Sequence, residues 1–376
     1  MSDSRQLPGL YVHVPFCLSK CPYCDFTSIT APELIPAWLG ALEKECRLRS
    51  GTFGLFDSLY VGGGTPSILQ DRHLDRLVTA LHRYFQFEDR SEVTIEVNPD
   101  DVCENRLELL LKLGFNRISL GVQSMQESEL HFLGRRHTAE QTLRLLDTVR
   151  SAGFDRMSLD LIYGFSADPA VPHRILWEKT LERVLRFEPD HLSCYMMTFE
   201  GDTPFKKLFS EGKLAPPPEE EGEGLFLFTS EFLEEHGFLH YEISNFARSP
   251  DTVCRHNQKY WDHTPYLGLG PSAHSFRDGA RWWNTRSVPH YCETLVRGAL
   301  PVEGFENLTE EQLQLERLFL GLRTRRGVDE SLLVQRPGAS PVLLKLLASG
   351  IVERRGSRIA PTRKGFLLAD GLPLLF

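Results

Sequence analysis

Three thiols stand close together in the string Tyr11-Val-His-Val-Pro-Phe-Cys17-Leu-Ser-Lys-Cys21-Pro-Tyr23-Cys24-Asp-Phe26. Cysteine runs at such spacings wrap iron–sulfur clusters, and three thiolates on a four-iron cluster leave one iron open for a small molecule. A structural zinc ion would call for a fourth nearby ligand and paired C-x2-C arrangements, and no second pair exists. On spacing alone, zinc or a redox dithiol stays open as an alternative. Of the 8 Cys, the remainder (Cys46, Cys103, Cys194, Cys254 and Cys292) are scattered, as small buried apolar residues are and a disulfide framework is not. Clustered thiols of this kind belong in a reducing compartment, where they bind metal or do redox chemistry.

Further polar groups follow the cysteines. Gly62-Gly63-Gly64-Thr65 lets backbone approach a ligand closely, because glycine has no Cβ in the way, although a tight turn has the same pattern. Glu96 and Asp160 are carboxylates suited to a ribose hydroxyl or an ammonium, or to a helix cap. Gln123 offers a neutral amide and Arg135 a bidentate cation.

The elements that must position these groups are legible as a series. Apolar β-rich runs occur at Leu10–Val14, Ser58–Val61, Val93–Val97, Arg117–Val122, Met157–Ile162 and Leu192–Met196. Helical periodicity fills the gaps, at Leu34–Leu48, Leu74–Phe85, Asn105–Leu113, Ala139–Ala152 and Ile175–Phe187. Glycine after a helix, in Leu113–Phe115 and Ala152–Phe154, reads as a C-cap turning into the next strand. Strand–helix units in series imply a parallel sheet. Polar groups converging from the carboxyl ends of many strands are the layout of a (β/α) barrel site, whereas a doubly wound sheet gathers its site at one switch point. The expected fold is therefore α/β, an incomplete (β/α)6 barrel over residues 1–200.

After Thr198 the pattern loosens. Ala215–Pro218 and Glu219–Glu221 read as a solvated linker ahead of a helix at Leu225–His236. Residues 241–300 are rich in aromatics, glycine and histidine but show no period, so 201–305 are expected to extend or link the barrel. From Thr309 the chain turns helical and ends in a helix and two short strands around Gly356, a smaller winged-helix-like α+β domain over 306–376. Its basic strings, Arg323–Arg326 and Arg354–Arg358, invite a nucleic-acid reading. The chain's formal charge of −9 over 376 residues argues against it. No apolar run approaches the ~18 residues of a membrane span, and residues 1–10 lack a signal-peptide layout, so a cytoplasmic protein is expected.

Cys17, Cys21 and Cys24, followed by Gly62-Gly63-Gly64-Thr65-Pro66, resemble the radical S-adenosylmethionine superfamily. The strings YVHVPFCLSKCPYCDF, EVNPDD, RISLGVQSM and YLGLGPSAHSF resemble, more narrowly, the oxygen-independent coproporphyrinogen III oxidase-like family and its haem-chaperone (HemW) branch. The likeness runs from Leu10 to the end. It implies a [4Fe-4S] cluster on the three cysteines, whose open iron takes the amino and carboxylate groups of S-adenosylmethionine. It also implies one-electron cleavage of the sulfonium to a 5′-deoxyadenosyl radical. Tyr11, Gly63, Gly64, Thr65, Glu96, Gln123, Arg135 and Asp160 are then cofactor contacts, and Tyr23 lies against the adenine. His274 and the Cys194–Thr198 segment are further candidates, with ordinary packing as their alternative.

Within the resemblance two functions compete. The oxidase pattern has a fourth cysteine where this chain has Phe26, and it carries an N-terminal extension that the ten residues ahead of Tyr11 are not expected to supply. Cys254-Arg-His256-Asn257-Gln-Lys-Tyr260-Trp261 looks like the haem-associated HNxxYW motif of the chaperones. Imidazole is a common haem-iron ligand and aromatic rings stack on porphyrin. His263 and Cys254 are rival ligands. The expectation is a haem chaperone that binds haem and passes it to an acceptor protein, a membrane protein among the options, with an electron donor serving the cluster. The alternative is the oxidase itself, forming protoporphyrinogen IX by oxidative decarboxylation.

Overall fold

A computed structural model describes residues 6–167, 171–336 and 338–376. Strands β1 (Gly9–Val14), β2 (Leu55–Gly63), β3 (Gln86–Val97), β4 (Arg117–Gln123), β5 (Arg156–Tyr163) and β6 (His191–Met196) lie parallel and side by side in chain order. Helices Ile35–Arg49, Asp71–Tyr84, Glu104–Lys112, Ala139–Ala152 and His173–Leu185 connect them. Each expected unit is present within a few residues of its expected bounds, β3 excepted, which starts well ahead of Val93. The helix Ala139–Ala152 coincides because both ends are marked. Thr138 and Gln141 form a reciprocal capping box, and Gly153 closes the helix in the left-handed region at φ 94°.

The sheet extends beyond these strands. Past β6 come β7 (Leu239–Glu242) and β8 (Asn245–Ala247), β8 pairing antiparallel with β6 and β7 with β8. On the other flank β9 (Tyr266–Leu269) pairs parallel with β1, followed by antiparallel β10 (His274–Arg277), β11 (Ala280–Asn284) and β12 (Val302–Asn307). The result is one 12-stranded sheet whose ends, β12 and β7, do not pair among the described residues, so the barrel is incomplete. The strands from β7 to β11 run only three to five residues, too short for alternation to show. One expectation is corrected. Glu219–Glu221 are not linker but the first turn of the helix Glu219–Glu235, where carboxylates favour the positive end of the helix dipole.

The strands alternate. Ile118, Leu120 and Val122 of β4, Leu159 and Leu161 of β5 and Leu192 of β6 are buried beneath the helices. The intervening residues face the interior, which is polar. The C-terminal unit has its own core of Leu318, Leu322, Val328, Leu333, Leu343, Val352 and Ile359. It pairs Val328–Asp329 with Arg358–Pro361 and that strand with Val352–Arg355, a winged-helix-like arrangement. Among the described residues no helix is long and apolar enough to cross a membrane.

Candidate functional site

The interior of the open barrel is a cavity of about 480 Å³. Its walls are the inward residues of successive strands: Tyr60 of β2, Glu96 of β3, Ser119, Gly121 and Gln123 of β4, Ser158 and Asp160 of β5, and Ser193 and Tyr195 of β6. Cys17, Cys21, Tyr23 and Cys24 close one end, and Arg117, His191, Cys254 and Asn257 line it as well.

The charged side chains of the cavity are held by hydrogen bonds to neutral groups. Glu96 accepts hydrogen bonds from Tyr60 Oη (2.8 Å) and the Gly63 N–H (2.9 Å). Burial, with the neighbouring Asp160 adding to it, pushes its pKa up to about 7. Asp160 accepts from Ser119 Oγ at 3.1 Å, and burial raises its pKa too. A cationic ligand between these carboxylates would restore their ionised forms. Arg135 donates to Asn98 Oδ1 (2.6 Å) and Gly121 O (2.9 Å), with its other amino group 3.6 Å from Cys21 Sγ and 3.5 Å from Tyr23 Oη. Thr65 Oγ1 donates to Cys17 Sγ at 3.3 Å.

Local backbone explains two of the sequence signals. A Cβ on Gly63, at φ 114°, would lie 2.5 Å from the His13 ring, and one on Gly64 would lie 2.6 Å from Phe16 O. Gly63 and Gly64 are therefore required where β2 passes the end of β1, whatever ligand approaches. Gln123 holds a left-handed φ of 64° at a register irregularity between β4 and β5, which turns its amide toward the cavity.

The donor set fits a cluster. Three thiols line one cavity end, and two of them accept hydrogen bonds of the kind that tune cluster sulfurs.

The helix Arg255–Trp261 separates this cavity from a second hollow of about 450 Å³. Glu92, buried on β3, accepts the N–H groups of Arg255 (3.1 Å) and His256 (3.0 Å) and so caps the helix. Asn257 lines both spaces, as does Tyr195, while Tyr260 and Trp261 line the second only. His256 lines neither. It is buried beside Tyr60, with Nδ1 3.1 Å from Ser58 Oγ and Nε2 2.9 Å from Tyr260 Oη, and burial lowers its pKa to about 3. Of its rivals, Cys254 is buried 3.6 Å from Glu92, and His263 lies 3.3 Å from Glu316.

Of the residues expected at the cofactor, Tyr23, Gly63, Gly64, Thr65, Glu96, Gln123, Arg135 and Asp160 line the first cavity with the cysteines. Tyr11 and His274 do not. Tyr11 Oη is 2.9 Å from His13 Nδ1, whose Nε2 lies 2.8 Å from Thr27 O, so Tyr11 supports the cysteine loop from behind. His274 is exposed and stacks on Trp283. Asn98, Tyr60, Ser119 and Ser193 had gone unassigned. Ser119 and Ser193 carried a signal, since Gly121 and Tyr195, two residues further along their strands, also line the cavity.

Fold and site together define a radical S-adenosylmethionine protein. A family model for the Radical SAM superfamily matches residues 11–169, and one for the HemN C-terminal domain matches residues 308–368. Two curated relatives are proteins named "Heme chaperone HemW". That of Bacillus subtilis is 32% identical over 374 residues, covering 97% of each chain. That of Mycobacterium tuberculosis (strain H37Rv) is 34% identical over 375 residues, covering 97% of this chain and 93% of the relative. The solved coproporphyrinogen III oxidase (HemN) of Escherichia coli is similar in structure, with TM-score 0.82 and 28% identity over 99% of this chain and 91% of that one. The chain belongs to the HemW family of radical S-adenosylmethionine proteins.

Proposed function

We propose that this protein is a haem chaperone, binding haem at the second hollow and passing it to an acceptor protein. The observation that carries the reading is its 32% identity to the B. subtilis heme chaperone in an alignment that covers 97% of both chains. The placing of Asn257, Tyr260 and Trp261 around a hollow supports it. Tyr260 and Trp261 offer an aromatic face, and His256 supplies imidazole once its bond to Tyr260 opens.

In the first cavity Cys17, Cys21 and Cys24 hold the [4Fe-4S] cluster. Gly63, Gly64 and Thr65 meet the methionine end of S-adenosylmethionine, Tyr23 the adenine, and Glu96, Gln123, Arg135 and Asp160 its polar and charged groups. Bound there, the pair supplies one-electron cleavage of the sulfonium. The acceptor, a membrane protein among the options, and the electron donor are partners of this reading. Eight free thiols suit a reducing compartment such as the cytoplasm.

The likeness to the E. coli oxidase favours a second reading, coproporphyrinogen oxidation. Haemin titration beside an anaerobic decarboxylation assay separates the two. We expect stoichiometric haem and no protoporphyrinogen, with His256→Ala weakening the complex or shifting its Soret band. Steady protoporphyrinogen formation without haem affinity would establish the oxidase instead.

A further inference from the structure

The second hollow lies between two parts of the molecule. Tyr260 and Trp261 face it from the body, and Phe366 and Arg323 face it from the C-terminal unit. Resting on the haem reading above, we propose that the C-terminal unit forms one wall of the haem site, with Phe366 against the ring and Arg323 pairing with a propionate.

Uncovered aromatic surface is the first reason. Tyr195 and Tyr260 keep 43% and 36% of their surface open although both lie in a concavity. Large rings left bare inside a hollow of this size are what a flat apolar ligand covers.

Charge is the second reason. Arg323 is the one cation among the described residues lining the hollow. One of its amino groups donates to Phe319 O at 2.7 Å and the other to Asp370. The Asp370 side chain is 92% exposed, so this ion pair is a solvated one of small net worth. A propionate replacing Asp370 keeps the same charge-assisted bonds. Glu242, the other carboxylate of the hollow, is buried, and burial pushes its pKa up to about 7, which limits its repulsion of an anion.

The third reason is how the unit is attached. It has a separate core and leans on the body through polar contacts, Arg363 to Glu231 (2.7 Å) and to Glu234, and Arg325 to Glu234 (3.3 Å). The Phe366 ring packs on His240 at 4.8 Å between centroids. A ligand seated between unit and body would fasten one to the other, and release would require them to part.

The test uses the full chain with its cluster, haemin as ligand and excess apomyoglobin as trap. Arg323→Gln should release haemin about tenfold faster than wild type, the effect of one charged hydrogen bond, with cluster content unchanged. Haemin dimethyl ester, which has no carboxylate, should leave the two proteins at the same rate. Asp370→Asn should hold haemin at least as well as wild type, and Phe366→Leu should hold it less well. Equal release of haemin by wild type and Arg323→Gln would overturn the proposal while leaving the chaperone reading intact. Failure of wild type to bind haemin at all would instead remove the reading beneath it. Should Arg323→Gln not fold, the ester decides, since wild type must release it faster than haemin.

Discussion

Glu96 is placed where its charge is costly until a cation arrives. Its value in the folded chain, about 7, lies above the ordinary 4.5 because of burial and then Asp160. A raised carboxyl contributes stability in full below about 4.5, and that contribution is lost as pH rises through 7. Glu96→Gln, with no proton to lose, should therefore gain on wild type as pH increases. In the cofactor-free chain its urea midpoint, relative to wild type, is expected to be higher at pH 8 than at pH 5. Parallel profiles for the two proteins would remove the electrostatic account. The same variant should bind S-adenosylmethionine more weakly, since it offers no charge. The thiols are subject to a blunter check. Replacing Cys17, Cys21 or Cys24 with alanine should abolish anaerobic reconstitution of iron and sulfide, and a variant that still takes up a full four-iron centre would count against the assignment.

Much of this cavity was legible at the scale of residues. Gln123 and Asp160 stand on strands where every second residue is polar and the rest are apolar, and that alternation identifies the inward face. Followed back along the strands, the pattern reaches Ser158 two residues before Asp160 and Ser119 four before Gln123, and on β6 Ser193 two before Tyr195. Asn98 escaped because it stands just past the end of β3, and its bonds to Arg135 and Thr65 come from residues distant in the chain. His256 shows the limit of a motif. Its residue type fits a haem ligand, but whether its nitrogens are free depends on Ser58 and Tyr260, which only folding brings to it.

At the scale of elements, the short helix Arg255–Trp261 has no side-chain N-cap of its own to fix it. It is fixed from outside. Glu92 accepts two of its first N–H groups and also faces Arg156 (3.3 Å) and Arg117 (3.9 Å). Lys259, on the other side, pairs with Asp57 at 2.6 Å and donates to Leu7 O at 2.7 Å. Removing one partner from a buried charged network costs about 3–5 kcal/mol. Glu92→Ala should lower unfolding free energy by about that much and, by loosening the helix, weaken haemin binding as well. Loss of stability below about 1 kcal/mol, at the level of a solvated pair, would show that the cap is not what holds the helix. The arginine-rich strings of the C-terminal unit belong to this scale too. Arg354 pairs with Glu330 at 2.7 Å, Arg355 with Glu353, and Arg358 donates to the carbonyls of Arg326 and Gly327. These internal contacts take up hydrogen-bonding capacity of the basic strings.

Across the whole molecule, the cofactor cavity and the second hollow are neighbours that share Tyr195 and Asn257. Side chains common to two sites cannot settle into one arrangement without affecting both, so occupancy of either space should alter affinity in the other. Linkage makes the two effects equal: the factor by which haemin changes the dissociation constant for S-adenosylmethionine must be the factor by which S-adenosylmethionine changes that for haemin. Couplings of this kind typically fall at about 5-fold or more. The measurement is a pair of titrations on the reconstituted protein, each ligand with and without the other, repeated for Tyr195→Ala. That substitution removes one of the two shared side chains without touching a cluster cysteine, so the factor should fall toward one while reconstitution proceeds normally. Wild-type factors already at one would mean that the two spaces, although adjacent, act independently.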